Sequence, residues 1–260
     1  MTEFRRVLFR SRWLSIALDY YDINIKEAIG VFGGGANFIV TGCILGGADP
    51  ADPLCQAYQR GPDGFVSFVY APTANLARLR TRGIDWQVNA NRTLGKNRLH
   101  LGLSGTRLLG STVQFNPNLA AVECAGSFSG ACGNTIQGTA TPRWKLFNRA
   151  SWQRGPITLS LRHRYFSSTR NGIFALREAF DQPAPTNIPV HAEKLQARHY
   201  FDASVAFDIG SQFDLTLGVN NLTDARPSLV GLSQIQANTD PSLYDVLGRR
   251  FFVSVKAKFE

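Results

Sequence analysis

Apolar and polar residues alternate with period two along much of this chain, and the alternating stretches are separated by segments of two very different lengths. In a strand, successive side chains point to opposite faces, so this alternation predicts strands with one apolar and one polar side. The first lies near 12–25, where Leu14, Ile16, Leu18 and Tyr20 oppose Ser15, Ala17, Asp19 and Tyr21. The second, 76–94, sets Ile84, Trp86, Val88 and Ala90 against Asp85, Gln87, Asn89 and Asn91. Strands over 98–110, over 142–153 and from Ile157 follow, then 197–209, with Phe201, Ala203, Val205, Phe207 and Ile209 on one face. A seventh begins at Phe213. In the last, Phe251, Val253, Val255, Ala257 and Phe259 oppose Phe252, Ser254, Lys256 and Lys258.

The connections alternate strictly. Gly95-Lys-Asn97, Gly155-Pro156 and Gly210-Ser-Gln212 make short turns, whereas 27–75, 111–140, 169–196 and 223–246 are long. Within the first long segment, 25–31 or 36–44 could form a short helix. Outer-membrane barrels keep periplasmic turns short and extracellular loops long, and a soluble sandwich has no reason to sort its loops by parity. The pattern therefore predicts an all-β chain, an antiparallel transmembrane β-barrel segment of about eight strands. The rivals are a passive porin-like channel and a soluble β-sandwich carbohydrate-binding module.

Composition adds little. Apolar residues make up 44%, aromatics 11%, and 24 glycines against one methionine favour strands and turns. No apolar run approaches the ~18 residues of a membrane helix. The net charge of +9 is dispersed in pairs such as Arg162 and Arg164 or Lys256 and Lys258. That spacing reads as one wall of a polar channel, and no nucleic-acid partner is expected. Trp13, Trp86, Trp144 and Trp152 suit aromatic girdles at the membrane edges. Residues 1–11 lack the h-region of a signal peptide. They look like a translated cloning or sequencing-adapter remnant, which leaves 12–260 as the C-terminal part of something longer.

The wording of the last hairpin is specific. Gly218-Val-Asn-Asn-Leu-Thr-Asp224, followed by Pro227, Tyr244-Asp245, Gly248-Arg249-Arg250 and a final strand ending at Phe259, resembles the C-terminal barrel signature of TonB-dependent outer-membrane receptors. The matching positions are Asn220, Asn221, Leu222, Asp224, Pro227, Tyr244, Asp245, Gly248, Arg249 and Phe259, with Glu260 running one residue past the usual aromatic end. Asn75 to Asp85, and Cys124 to Cys132 followed by Pro142-Arg-Trp-Lys145, are similar to further segments of that family. The family's barrels have about 22 strands and a plugged lumen. The resemblance implies an outer-membrane protein of a Gram-negative bacterium. The whole protein would take up a scarce nutrient such as a ferric siderophore, a cobalamin-like cofactor or an oligosaccharide. Its implied partners are outer-membrane lipid, the TonB energising complex through a plug not found in this chain, and the barrel-assembly machinery through the final strand.

Individual residues point to no enzyme. Neither a Gly-x-Ser-x-Gly elbow nor a persuasive Ser/His/Asp order occurs, and Asp202, Asp208 and Asp214 read as lumenal carboxylates paired with Arg or Lys. The four histidines lack metal-ligand spacing, so neither metal nor cofactor is expected. Cys43 with Cys55, and Cys124 with Cys132, are expected as local disulfides in an oxidising compartment. Arg170, Arg177, His191 and Lys194 are the loop candidates for an anionic ligand, against the bland alternative of a solvated loop.

Overall fold

The computed structural model describes residues 3–75, 78–115, 120–128, 132, 140–188, 190–210, 212–230 and 238–257. Nine strands form one continuous antiparallel wall. They are β1 (Glu3–Arg10), β2 (Leu14–Lys26), β3 (Arg78–Leu94), β4 (Asn97–Gln114), β5 (Trp144–Arg154), β6 (Ile157–Phe166), β7 (Arg198–Ile209), β8 (Phe213–Asn220) and β9 (Arg250–Ala257). Each pairs with its neighbours in sequence, and the two-residue Val122–Glu123 adds to the edge of β4 as a tenth strand. β1 and β9 are unpaired on their outer sides, so the sheet is an open arc and not a closed barrel.

The eight expected strands are all present, and Glu3–Arg10 adds a ninth within residues assigned to a leader. It pairs with β2 through all eight residues. Its faces are poorly sorted: Glu3, Arg5, Val7 and Phe9 share one side, Phe4, Arg6, Leu8 and Arg10 the other. The short-turn, long-loop parity holds through the added hairpin. Register runs straight through two-residue turns from Leu94 to Asn97 and from Arg154 to Ile157. Gly95 (φ 59°) and Gly155 (φ 56°) start those turns, in a backbone region that only glycine enters freely.

On the outward side, large apolar residues stand unburied without a second layer: Leu18, Leu101, Leu161 and Leu217 are about two-fifths exposed, Phe251 81% and Val253 69%. No sheet covers this side among the described residues. Trp86 lies over Gly105, where a Cβ would collide with its ring, and meets Trp144 edge-on at 5.8 Å. Along β3 the outward positions are apolar from Ala90 to Ile84 and bounded by Arg92 and Arg82. The ten steps between those arginines span roughly 33 Å of strand. At a tilt of ~40° that is about 25 Å normal to the membrane, the height of a barrel's apolar band.

The long loops are not loose. Residues 36–44, one of two places where a helix was possible, lie in α1 (Ala36–Leu45). The other, 25–31, is extended: it ends β2 and then pairs Ile29–Val31 with Thr73–Asn75. β4 runs to Gln114, past the expected end at 110, because Val113 and Phe115 bury their side chains in a loop core. That core joins Phe38, Ile39 and Leu54 to Val122 and Leu176. A second core gathers Phe128, Phe166, Leu195, Tyr200, Val230 and Tyr244. Phe166 and Tyr200 have the parity of the polar face, and a register shift in the β3–β4 pairing at Arg82/Gly83 brings Val113, the partner of Leu79, to the same side, so the loops fold over the lumenal side.

Candidate functional site

The polar face carries a row of charge across three paired strands. Arg149 on β5 faces Arg162 on β6, which faces Asp202 on β7. Two like charges opposite each other repel, and Asp202 offsets this. Its Oδ2 accepts from Arg162 Nε at 2.8 Å, with Arg164 Nε at 3.6 Å. Its Oδ1 accepts from the backbone N–H of Asn221 at 2.8 Å. The carboxylate is 6% exposed, so it is buried only because both oxygens are used. A cleft of about 170 Å³ lies among Arg149, Arg162, Asp202, Ser204 and Asn220. Nearer the loops a second cleft of about 410 Å³ is lined by Lys145, Arg164, Tyr244, Asp245 and Arg250. Asp202 is thus a paired lumenal carboxylate. Asp208 sits opposite Asp214, which in turn lies opposite Lys256.

The terminal signature residues build a loop. At the end of β8, Asn221 turns left-handed (φ 51°) and is fully buried. Its side-chain amide accepts from Ala225 N–H at 2.8 Å and donates to Ala225 O at 3.0 Å. Asp224, also left-handed, accepts from Arg249 N–H through Oδ1 at 3.0 Å. Gly248 is required beside it, because its φ is 72° and a Cβ would press on the Asp224 carboxylate. Tyr244 donates to Gln196 O at 2.6 Å, and Asp245 pairs with Arg250 at 3.2 Å. Burial raises the Tyr244 phenol well above its ordinary pKa, so it remains a donor. Leu222 is exposed and Pro227 partly so; Phe259 lies outside the described residues. The motif therefore carries the chain out of the wall and returns it one strand later.

The loop candidates do not act as one cluster. Arg170 and Lys194 are register partners lining a cleft of about 540 Å³, with Glu123, Arg143, Glu178 and Glu193. Arg170 stacks on Phe174 at 3.5 Å and bridges to Glu193 at 3.0 Å. Arg177, on the helix α2 (Gly172–Ala179), turns elsewhere and donates to Pro183 O. The side chain of His191 lies outside the described residues. Sequence reasoning treated 169–196 as one loop, whereas it holds α2 and a strand pair. In the other two loops, the sulfurs of Cys43 and Cys55 are 2.03 Å apart and those of Cys124 and Cys132 are 2.10 Å apart.

The family model for "TonB dependent receptor-like, beta-barrel" matches residues 4–222. The chain belongs to the TonB-dependent receptor barrel family. Solved structures share the fold at low identity. The ferric enterobactin receptor PfeA of Pseudomonas aeruginosa, in an R480A/Q482A mutant, superposes with TM-score 0.59 at 16% identity. The siderophore receptor PirA of Acinetobacter baumannii gives 0.57 at 10%, and the FrpB iron transporter of Neisseria meningitidis 0.57 at 12%. Each match covers 99% of this chain and 31% of the receptor. Among curated protein sequences none matches. The family consists of receptors and transporters rather than enzymes, and its members reside in the outer membrane of Gram-negative bacteria.

Proposed function

We propose that this chain is the C-terminal wall of an outer-membrane receptor that takes up a scarce nutrient with energy relayed through TonB. The observation that carries the reading is the family match over a wall whose outward face is apolar at bilayer height. The similar structures are a ferric enterobactin receptor, a siderophore receptor and an iron transporter, so an iron chelate is the first substrate to test. Arg170 and Lys194, at the mouth of the loop cleft, are the residues proposed to meet it, with Arg177 and His191 as weaker candidates. The basic lumenal row of Arg149, Arg162 and Arg250 is proposed to face a plug contributed from outside this chain. Both cysteine pairs are proposed to be disulfides in exported protein.

The experiment is uptake of radiolabelled ferric siderophores by cells expressing the full parent gene, with and without the inner-membrane energising complex. Uptake that stops without the complex supports the reading. Uptake that continues unchanged assigns the parent to passive channels instead.

A further inference from the structure

Spacing along the chain gives the four histidines no metal-binding pattern, but strand register brings two of them together. On β5, Asn148 shares the outward side with Trp144, Leu146 and Ala150, and its partner across the ladder is His163 of β6. His163 in turn faces Phe201 of β7, and Tyr165 faces His199, so the two histidines sit diagonally across one strand pair. Diagonal neighbours on one face of a sheet are within reach of ring side chains. His163 Nε2 lies 2.9 Å from His199 Nδ1, although 36 residues separate them. Both keep the parity of Leu161 and Ala203, so the pair stands on the outward wall. We propose that His163 and His199 form a two-imidazole site for a divalent late transition-metal ion, with Cu2+ the best fit. The site goes beyond the transport reading and does not depend on which nutrient is carried.

The neighbours hold the rings in place. The two imidazoles stack with centroids 5.2 Å apart and planes 11° from parallel. Phe201 lies on His163 at 4.8 Å, and Tyr165 on His199 at 4.5 Å. His163 Nδ1, the nitrogen turned away from His199, is 3.1 Å from the side-chain amide of Asn148. A hydrogen-bonding group on the far nitrogen is what orients a metal-binding imidazole and fixes which nitrogen is left to bind. His163 is half-buried and His199 exposed, so an ion reaches the pair from outside the wall. Among the described residues neither ring has a carboxylate within the 4.0 Å of a salt bridge, so no acidic side chain already holds them.

The donor set selects the metal. Two imidazole nitrogens without a carboxylate suit Cu2+, Ni2+ or Zn2+, and not Ca2+ or Mg2+, which take oxygen ligands. Nitrogens bound at right angles, each roughly 2.0 Å from a metal, stand about 2.8 Å apart, and at a tetrahedral angle about 3.3 Å apart. The observed 2.9 Å therefore matches the tetragonal geometry of Cu2+ more closely than the tetrahedral one of Zn2+. In the metal-free pair of neutral rings, one ring donates its N–H to the lone pair of the other. A metal needs both inner lone pairs, so that hydrogen passes to the outer nitrogen of its own ring and no net proton is lost. Where that ring is His163, the outer nitrogen is Nδ1, and Asn148 accepts through Oδ1 after a half-turn of its amide. Water fills the remaining positions, which makes the ion exchangeable. Packing alone accounts for stacked rings but gives no reason for the two inner nitrogens to face each other. His199 shares a register row with Tyr165, Leu146, Gly105 and Trp86, at the level of the aromatic residues, where interfacial water is at hand.

The test uses the untagged parent receptor, folded in neutral detergent with its heat-modifiable mobility checked. Cu2+ and Zn2+ are titrated calorimetrically against it and against His163→Gln, His199→Gln, Asn148→Ala and, as a control on the lumenal face, His100→Gln. The expected result is one equivalent that takes Cu2+ ahead of Zn2+ and is lost in each of the first two variants. It should be roughly tenfold weaker in Asn148→Ala, the usual cost of removing a group that orients a ligand, and unchanged in His100→Gln. Retention of that equivalent by folded His163→Gln or His199→Gln overturns the proposal, as does its loss in His100→Gln. If neither variant folds, diethyl pyrocarbonate labelling of the native receptor, read by peptide mass mapping, decides alone. Cu2+ should then protect His163 and His199 together, and labelling of both at an undiminished rate overturns the site. Protection by Ca2+ as strong as that by Cu2+ overturns the assignment to a transition metal.

Discussion

Val253 and Ser254 are neighbours on β9 with opposite fates. Val253 continues the exposed apolar face, while Ser254 lies opposite Thr216 on the polar one. Val253→Arg is expected to cost about 2–4 kcal/mol of folding stability in lipid, the penalty of a cation near the bilayer midplane. Ser254→Arg should be far milder, and equal losses during refolding of the parent receptor into vesicles would sink the inside/outside assignment. A second residue-scale prediction concerns Asp202. Asp202→Ala leaves the buried Asn221 N–H and the half-exposed Arg162 guanidinium without their acceptor. The cost is expected at about 2–3 kcal/mol, read as a lower urea midpoint of the parent barrel. Asp202→Asn, which keeps one acceptor oxygen, should recover part of it. The sequence marked Asp202 as lumenal by parity alone. That it also pins the terminal signature was not legible, because Asn221 lies 19 residues away and the bond uses its backbone.

At the scale of elements, the strands follow from alternation but the loops follow from contacts between them. The long loops bury Phe38, Phe115, Val122 and Leu176 in common, and Phe128, Phe166 and Tyr244 in common. Nothing in the period-two pattern announces which loop packs on which. The two cysteine pairs sit inside this shared packing, at sequence separations of 12 and 8. Closing loops of that size is expected to stabilise the loop layer by about 2.5–3 kcal/mol each. Unreduced peptide mapping of exported protein should recover Cys43–Cys55 and Cys124–Cys132. Crossed links such as Cys43–Cys124 would show that the loops pair differently. The helix α2 shows why 169–196 misled as a loop. Asn171 caps it by accepting from Ile173 N–H at 3.1 Å, a short-range signal that is weak without the loop core into which the helix buries Leu176.

At the scale of the molecule, the wall has two unpaired edges, β1 and β9. In a bilayer each bare backbone N–H or C=O costs several kcal/mol, so an open arc is unstable there. The isolated chain is therefore expected not to yield a heat-modifiable monomeric barrel in lipid, and the parent chain should yield one. A folded, detergent-stable monomer of this chain alone would show that these strands accept the smaller radius.

The sequence by itself determined the strand count to within one, the two faces of the wall, the parity of turns and loops, and the family. These properties are written in neighbouring residues, since period two and turn glycines act over a few positions. The tertiary structure alone decided three things. It joined the long loops into two cores, tied Asp202 to the terminal signature, and set His163 against His199 on the outward face. Each depends on pairing register between segments tens of residues apart, and register is set by the packing of the whole sheet.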